Sequence, residues 1–248
     1  MKPPVILVLR GDDAFSVKLR ENGFEVLNLE LIKPEPLDDL GELRERLAEL
    51  DNYDGLFFTS PVAETIFLYE SNRLGRQFFG KIYVLGERTK TIFENAGEKV
   101  EYGIDTNTAE EMIESFGEAE FAGKRLLFVR GDKSMRTIPE LLDGKASVEE
   151  LVVYRTVENP HAEEVTADIR TRLDDNEIDW VCFFSPSAVE TFVKAFERID
   201  FDGIKMAAIG QTTARRAKEA GLKVEFISNR ASAEDFAAGL MGYIKNIG

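Results

Sequence analysis

Short apolar runs alternate with longer amphipathic segments along almost the whole chain. Runs of this length are typical of strands buried on both faces of a parallel sheet. The segments between them, such as "TTARRAKEAG" and "TKTIFENAG", have helical spacing and end in glycine, which is common just beyond a helix. The alternation predicts an α/β fold built from β-α-β units, with strands at residues 4–9, 25–30, 55–58, 82–85, 99–102, 125–129, 149–153, 179–184, 205–209 and 223–227.

Several segments of the sequence occur twice in the same order, about 120 to 125 residues apart. The stretch "FFTSPVAETIF" (57–67) recurs as "FFSPSAVETF" (183–192), and "VILVLRGD" recurs as "RLLFVRGD". The stretch "VLGERTKTIFENAG" is repeated as "AIGQTTARRAKEAG". We interpret the repeats as two structurally similar units. The strand predictions fit a flavodoxin-like, doubly wound parallel sheet in each unit.

Proline-bearing polar stretches follow equivalent strands of the two units, at "LIKPEPLDD" (31–39) and "YRTVENPHAEE" (154–164). A simple tandem would need one linker near the middle of the chain, where "FAGKRLLF" runs on without a break. We therefore predict that the chain crosses twice between its domains. The prediction is a discontinuous first domain at 1–32 and 161–248, an inserted second domain at 39–152, and paired linkers at 33–38 and 153–160.

Composition excludes several classes of function. The net charge of -15 disfavours non-specific nucleic-acid binding, and the sequence lacks an apolar run long enough to predict a membrane span. Cys182 and His161 are the only residues of their types, so a disulfide, a cysteine-based zinc site and a histidine-dependent triad are all disfavoured. The motifs of dinucleotide and P-loop sites do not occur. We expect a cytoplasmic protein.

Polar motifs follow the predicted strands where ligands bind in open parallel sheets. They are the two "RGD" segments at 10–12 and 130–132, the "TSP" and "SPS" segments at 59–61 and 185–187, and the "GERT" and "GQTT" segments at 86–89 and 210–213. One interpretation is purely structural, because serine and threonine cap helices and proline suits the first helical position. The other is that hydroxyl and amide groups at these helix starts bind carboxylates or phosphates.

The chain resembles the uroporphyrinogen-III synthase family over nearly its whole length, in "LFFTSPVAETI", "VLGERT", "LVVYRT", "FFSPSAVETF" and "AAIGQTTARRAKEAG". The resemblance implies two flavodoxin-like domains joined by a two-stranded linker, with one domain discontinuous. It also implies an enzyme without metal or cofactor that closes hydroxymethylbilane to uroporphyrinogen III. In that reaction ring D is inverted through a spiro intermediate, held between the domains.

Matching family positions imply roles for particular residues. Tyr154 is the expected hydrogen-bond or proton donor to the departing hydroxyl. The contacts to substrate carboxylates that these positions imply are Ser60, Thr89, Ser185, Thr212 and Thr213. Arg10 and Arg130 are expected as further contacts, because they directly follow strands at the edge where ligands bind. The sequence departs from a common family form at Val62, where the family often carries arginine, and Arg88 or Arg10 is an alternative source of that charge.

Two other interpretations stay open at this point. A non-catalytic two-domain sensor that closes on a small anion would use the same strand-end turns. Another flavodoxin-like transferase would need a flavin or a nucleotide. We expect a monomer that acts on a small molecule, with neither nucleic acid nor membrane as a partner.

Overall fold

The computed structural model describes residues 3–103, 106 and 108–247. Residues 1, 2 and 248, at the ends of the predicted first domain, lie outside this part of the chain. Strands and helices alternate, which confirms the predicted α/β class. The described strands are β1 (Val5–Val8), β2 (Glu25–Asn28), β3 (Ile32–Pro36), β4 (Gly55–Phe58), β5 (Lys81–Val84), β6 (Glu101–Tyr102), β7 (Arg125–Gly131), β8 (Ser147–Glu158), β9 (Trp180–Phe183), β10 (Lys205–Ala208) and β11 (Val224–Ile227).

Helices connect most of these strands. The described α-helices are α1 (Ala14–Glu21), α2 (Gly41–Ala48), α3 (Pro61–Arg73), α4 (Glu87–Asn95), α5 (Ala109–Phe116), α6 (Thr137–Leu141), α7 (Glu163–Asp174), α8 (Pro186–Ala195), α9 (Gln211–Glu219) and α10 (Ala233–Ile247). Short 3-10 turns occur at Leu50–Asn52, Glu118–Glu120 and Pro160–Ala162. Within the described residues, no helix is both long enough and apolar enough to cross a lipid bilayer.

Backbone packing divides the chain into two compact units. Unit 1 comprises Met1–Lys33 and Val157–Gly248, and unit 2 comprises Pro34–Thr156. The chain therefore passes between the units within β3 and again within β8.

The sheet of unit 1 has the strand order β11-β10-β9-β1-β2, and its neighbouring strands are parallel. Successive residues of β1 point to opposite faces, so Val5 and Leu7 join one buried cluster while Ile6 and Val8 join another. Helices α7, α8 and α9 contribute to the first cluster, and α1 and α10 contribute to the second. The sheet is thus covered on both faces, which explains why its central strands β1 and β9 are uniformly apolar.

The second sheet has the order β3-β8-β7-β4-β5-β6. The pairs from β8 to β6 are parallel. Leu56 and Phe58 of β4 pack towards α2, α3 and α4, whereas Phe57 packs towards α5 and α6. This sheet is also covered on both faces, and its carboxyl edge carries the start of α3 and α4.

The strands predicted from apolar runs were wrong at the two linkers, which the family resemblance implied to be strands. Residues 33–36 of the first predicted linker lie in strand β3, and β8 runs on to Glu158 instead of ending at 153. Leu37 N–H donates to the Val153 carbonyl, and Asn159 N–H donates to the Leu31 carbonyl. Polar composition and two prolines concealed β3, because proline is tolerated in a strand at the edge of a sheet. Tyr154 therefore lies inside a strand and not at its end.

Candidate active site

Tyr154 lies near the carboxyl edge of the unit 2 sheet. Its phenol donates a hydrogen bond of 3.0 Å to the Oγ atom of Ser60, which directly precedes α3. Strand β7 lies between β8, which carries Tyr154, and β4, which leads to Ser60. The Tyr154 ring therefore lies across β7 at Gly131. The Tyr154 side chain is half-buried. The fold thus brings together two residues predicted from sequence to act on the substrate.

Gly131 provides the space that the Tyr154 ring occupies. A Cβ atom at this position would lie 2.5 Å from Cε2 and 2.7 Å from the hydroxyl oxygen of Tyr154. These distances are well inside van der Waals contact, so any side chain here would displace the ring. The glycine of the second "RGD" segment is therefore required by a tyrosine on the neighbouring strand.

The arginine of the same segment is used internally. Arg130 is only 7% exposed, and its guanidinium pairs with Glu150 and donates to the backbone carbonyls of Gly131 and Ser134. Burial alone would raise the pKa of Glu150, but hydrogen bonds and positive charge from Arg136 and Arg130 hold it below its usual value. Arg130 therefore braces the turn after β7, and its described partners leave it poorly suited to hold a ligand.

Asp132 fixes the backbone around Tyr154. Its own N–H donates to the Tyr154 carbonyl at 3.0 Å, and its carboxylate accepts the Thr156 N–H at 2.9 Å. Sequence reasoning missed this role and that of Gly131. The repetition of "RGD" after equivalent strands indicated that this segment matters, but it did not indicate which neighbouring strand the segment contacts.

Hydroxyl and amide donors surround this edge of unit 2. Ser60 caps α3 by accepting the Val62 N–H at 3.3 Å. Helix α4 starts at Gly86, whose φ of 91° favours glycine, and it has no side-chain cap. Thr89 in its first turn is 1% exposed and points into the core. Arg88 is exposed and has no hydrogen bond or ion pair to other described residues.

Unit 1 has a corresponding set of groups at its own carboxyl edge. Ser185 caps α8, and its Oγ lies 3.1 Å from the Oγ of Ser187. Arg10 follows β1 and forms an ion pair of 2.8 Å with Asp13. Its guanidinium also lies 4.5 Å from the centre of the Phe184 ring. The ends of β1 and β9 are thereby joined, and the two serine hydroxyls remain half-buried beside them.

The two threonines of the "GQTT" segment point in different directions. Thr213 is buried at 4% exposure, whereas Thr212 is half-exposed. Helix α9 begins after Gly210 and has no side-chain cap. Thr212 and the first backbone N–H groups of α9 are therefore better placed than Thr213 to meet a ligand.

The remaining candidate groups offer no alternative chemistry. Cys182 is fully buried, which raises the pKa of its thiol above the usual range, and His161 is exposed in a 3-10 turn. Among the described residues, no cluster of three or more His, Cys, Asp or Glu is arranged to hold a metal ion. The strand-end groups are mainly neutral donors, which bind carboxylates by directed hydrogen bonds.

The parallel α/β fold places a phenol and several hydroxyl and amide donors at the strand-end edges, which is where α/β proteins of this class bind small molecules. The family model for Uroporphyrinogen-III synthase HemD matches residues 13–238, which is most of the chain. The chain belongs to the uroporphyrinogen-III synthase family.

Individual relatives agree with this assignment. The chain is 29% identical over 204 residues to the uroporphyrinogen-III synthase of Chlorobaculum parvum, with 79% of this chain and 82% of the relative covered. It is 28% identical over 212 residues to the enzyme of Schizosaccharomyces pombe, with 82% and 81% covered. A crystal structure of mutant uroporphyrinogen III synthase from Thermus thermophilus is similar, with a TM-score of 0.68, 17% identity and 98% of both chains covered. That likeness confirms the fold.

Proposed function

We propose that Tyr154 is the proton donor in the uroporphyrinogen-III synthase reaction of this chain. The chain is a lyase that closes hydroxymethylbilane to uroporphyrinogen III and water. The assignment of this reaction rests on family membership. The proposed role of the phenol is supported by the hydrogen bond between Tyr154 and Ser60. That bond holds the phenol oxygen at one place on the sheet edge, and in the reaction the phenol O–H turns from Ser60 to donate its proton to the departing hydroxyl.

The reaction needs few groups from the protein. The C–O bond of the hydroxymethyl group breaks, and the oxygen leaves as water after accepting one proton. The pyrrole electrons of ring A form a double bond to the methylene carbon as the oxygen leaves. That carbon of the substrate is then the electrophile. The substituted carbon of ring D attacks, and the spiro intermediate fragments and closes again with ring D reversed. Loss of one proton from ring D balances the proton consumed first. The protein must orient a flexible chain of pyrroles, and orientation alone contributes a large share of catalysis.

Substrate carboxylates are bound, in this proposal, by donors at the sheet edges. Ser60 and Arg88 serve in unit 2, and Ser185 and Thr212 serve in unit 1. Arg88 is favoured over Arg10 as the replacement for the charge absent at Val62, because Asp13 already neutralises Arg10. Three other predicted contacts, Arg130, Thr89 and Thr213, are buried, so we assign them to supporting the turns and not to direct binding.

We also propose that each unit is a flavodoxin-like domain and that β3 and β8 are the two-stranded linker. Counted along the chain, the strands of unit 1 lie in the order 2-1-3-4-5, which is the flavodoxin-like order. The proposed boundaries, 1–32 with 161–248 and 39–152, are supported by the division of the backbone into compact units at Met1–Lys33 with Val157–Gly248 and at Pro34–Thr156. That the enzyme is a monomer in the cytoplasm stays a prediction.

The purified chain should convert enzymatically generated hydroxymethylbilane to the type III isomer. Spontaneous closure gives the type I isomer, so the ratio of the isomers after oxidation and chromatography measures catalysis directly. A heat-denatured sample is the control. A chain that binds hydroxymethylbilane yet leaves only the type I isomer would be a sensor instead of an enzyme.

Replacing Tyr154 with phenylalanine should slow formation of the type III isomer about tenfold, since a general acid typically contributes at least this much. The ring remains over Gly131, so the fold should persist with a loss of about 1 kcal/mol from the missing hydrogen bond. Initial rates at saturating substrate and urea unfolding test both parts. An unchanged rate would remove the phenol from the mechanism.

A further inference from the structure

Each "RGD" glycine is faced by a side chain from the strand that follows it in the chain. In unit 2 this side chain is Tyr154, which covers Gly131. In unit 1, a Cβ atom on Gly11 would lie 3.4 Å from Oε1 and 3.8 Å from Oε2 of Glu30. Glu30 follows β2, which pairs with β1 as β8 pairs with β7. Glu30 therefore occupies the place in unit 1 that Tyr154 occupies in unit 2.

The backbone at Glu30 is firmly held although its side chain is exposed. The Glu30 carbonyl accepts a hydrogen bond of 2.9 Å from the Asn159 side chain, and the Leu31 carbonyl accepts one of 2.8 Å from the Asn159 N–H. On the other side, Leu29 is buried and its N–H donates to Val8. The backbone that carries this carboxylate is thus held in place beyond the carboxyl end of the sheet.

The Glu30 carboxylate is not neutralised within the part of the chain that the structure describes, where it has no hydrogen bond and no ion pair. Acidic neighbours differ in this respect, because Asp12 pairs with Arg20 and Asp13 pairs with Arg10. An unpaired carboxylate beside donors for carboxylates would repel a polyanion. A carboxylate at this position is compatible with substrate binding only if it contacts a part of the substrate that is not anionic.

Hydroxymethylbilane has two such features, its pyrrole N–H groups and the positive charge that develops on ring A as the hydroxyl leaves. We propose that Glu30 is a substrate-contacting residue that accepts hydrogen bonds from pyrrole N–H groups and stabilises that developing charge. It forms no covalent bond and needs no proton of its own. A carboxylate is a strong acceptor for N–H donors, and a fixed charge near a developing opposite charge lowers the barrier.

The inference also assigns different parts of the substrate to different groups of unit 1. Carboxylate arms bind the hydroxyls of Ser185 and Thr212, whereas the pyrrole ring binds Glu30. A neutral residue at position 30 would no longer repel the carboxylate arms, so these arms and the pyrrole ring would no longer be directed to different groups. Removing the charge should therefore slow the chemical step without weakening substrate binding.

The experiment compares Glu30→Gln with the unmodified chain and with Glu21→Gln. Glu21 is also an exposed acid of unit 1, but it ends α1 and so lies away from the carboxyl edge. We expect Glu30→Gln to lower kcat for the type III isomer about tenfold or more, with KM unchanged or lower. Glu21→Gln, with the same change in net charge, should keep kcat within about twofold. Thermal unfolding of all three proteins checks that the fold is retained.

The inference rests on the proposed function, and the two fail in different ways. If the unmodified chain makes no type III isomer, both are overturned. If it does, and Glu30→Gln keeps the same kcat whatever its KM, then Glu30 only shapes the surface potential and the inference alone is overturned. An equal loss of kcat in Glu21→Gln would overturn it as well, since the effect would then be one of net charge.

Discussion

Replacing Gly131 with alanine should slow formation of the type III isomer about 100-fold or more, because small displacements of a catalytic group have effects of this size. The new Cβ atom would lie 2.7 Å from the Tyr154 hydroxyl oxygen, so the ring must turn away and its bond to Ser60 must break. The effect should exceed that of Tyr154→Phe, because the displaced ring also obstructs the space beside it. Overpacking should destabilise unit 2 by about 1–3 kcal/mol, which urea unfolding measures.

The duplicated motif supplies a matched control. Gly11 is the glycine of the first "RGD" segment, and its nearest neighbour is the flexible Glu30 carboxylate at 3.4 Å. That distance is ordinary contact, so Gly11→Ala should keep most of its activity. A second control is Gly131→Ala combined with Tyr154→Ala, where removal of the ring should make the glycine replacement nearly neutral. Gly131→Ala with the full rate of the unmodified chain would mean that the ring position does not matter.

Local sequence patterns predicted much of the fold. Uniformly apolar runs identified the strands that are buried on both faces, since neither face of such a strand tolerates polar side chains. Ser60 and Ser185, each followed by proline, identified the starts of α3 and α8, and both serines do cap their helices. The internal repeat indicated two similar units.

Contacts between distant segments could not be predicted in this way. Strand β3 is polar and contains prolines, so only its pairing with β8 at the sheet edge makes it a strand. Arg130 follows a strand as a ligand-binding arginine would, yet its guanidinium turns back to Glu150 and to backbone carbonyls. Which way a long side chain turns depends on the partners that the fold provides, and these lie on other strands.

Glu64 is a feature that local pattern did not reveal. It lies in the first turns of α3 and is completely buried, and neither carboxylate oxygen has a hydrogen-bond partner in the described part of the chain. Burial raises its pKa to about 8, and the Phe93 backbone N–H offsets only part of that rise. The equivalent position in α8 is Val189, which is equally buried. Unit 2 therefore carries an ionisable group where unit 1 carries a hydrocarbon.

The sign of the resulting pH dependence follows from proton binding. Well below pH 4.5 the carboxyl group is protonated in both folded and unfolded chains, so its ionisation makes no contribution to stability. Between pH 4.5 and about 8 the unfolded chain loses this proton while the folded chain keeps it, so stability falls as pH rises. Above pH 8 the loss is complete, at about 5 kcal/mol, since one pKa unit corresponds to about 1.4 kcal/mol.

Replacing Glu64 with valine should therefore stabilise unit 2, and by much more at pH 8 than at pH 5. We expect the difference in unfolding free energy between the variant and the unmodified chain to grow by about 4 kcal/mol over this interval. Urea unfolding followed by circular dichroism at both pH values measures it. Glu94→Val is the control, because Glu94 lies exposed on the adjacent helix α4 and should show little change. A gain of equal size at both pH values would mean that Glu64 is ionised in the folded protein, with a partner that compensates its charge.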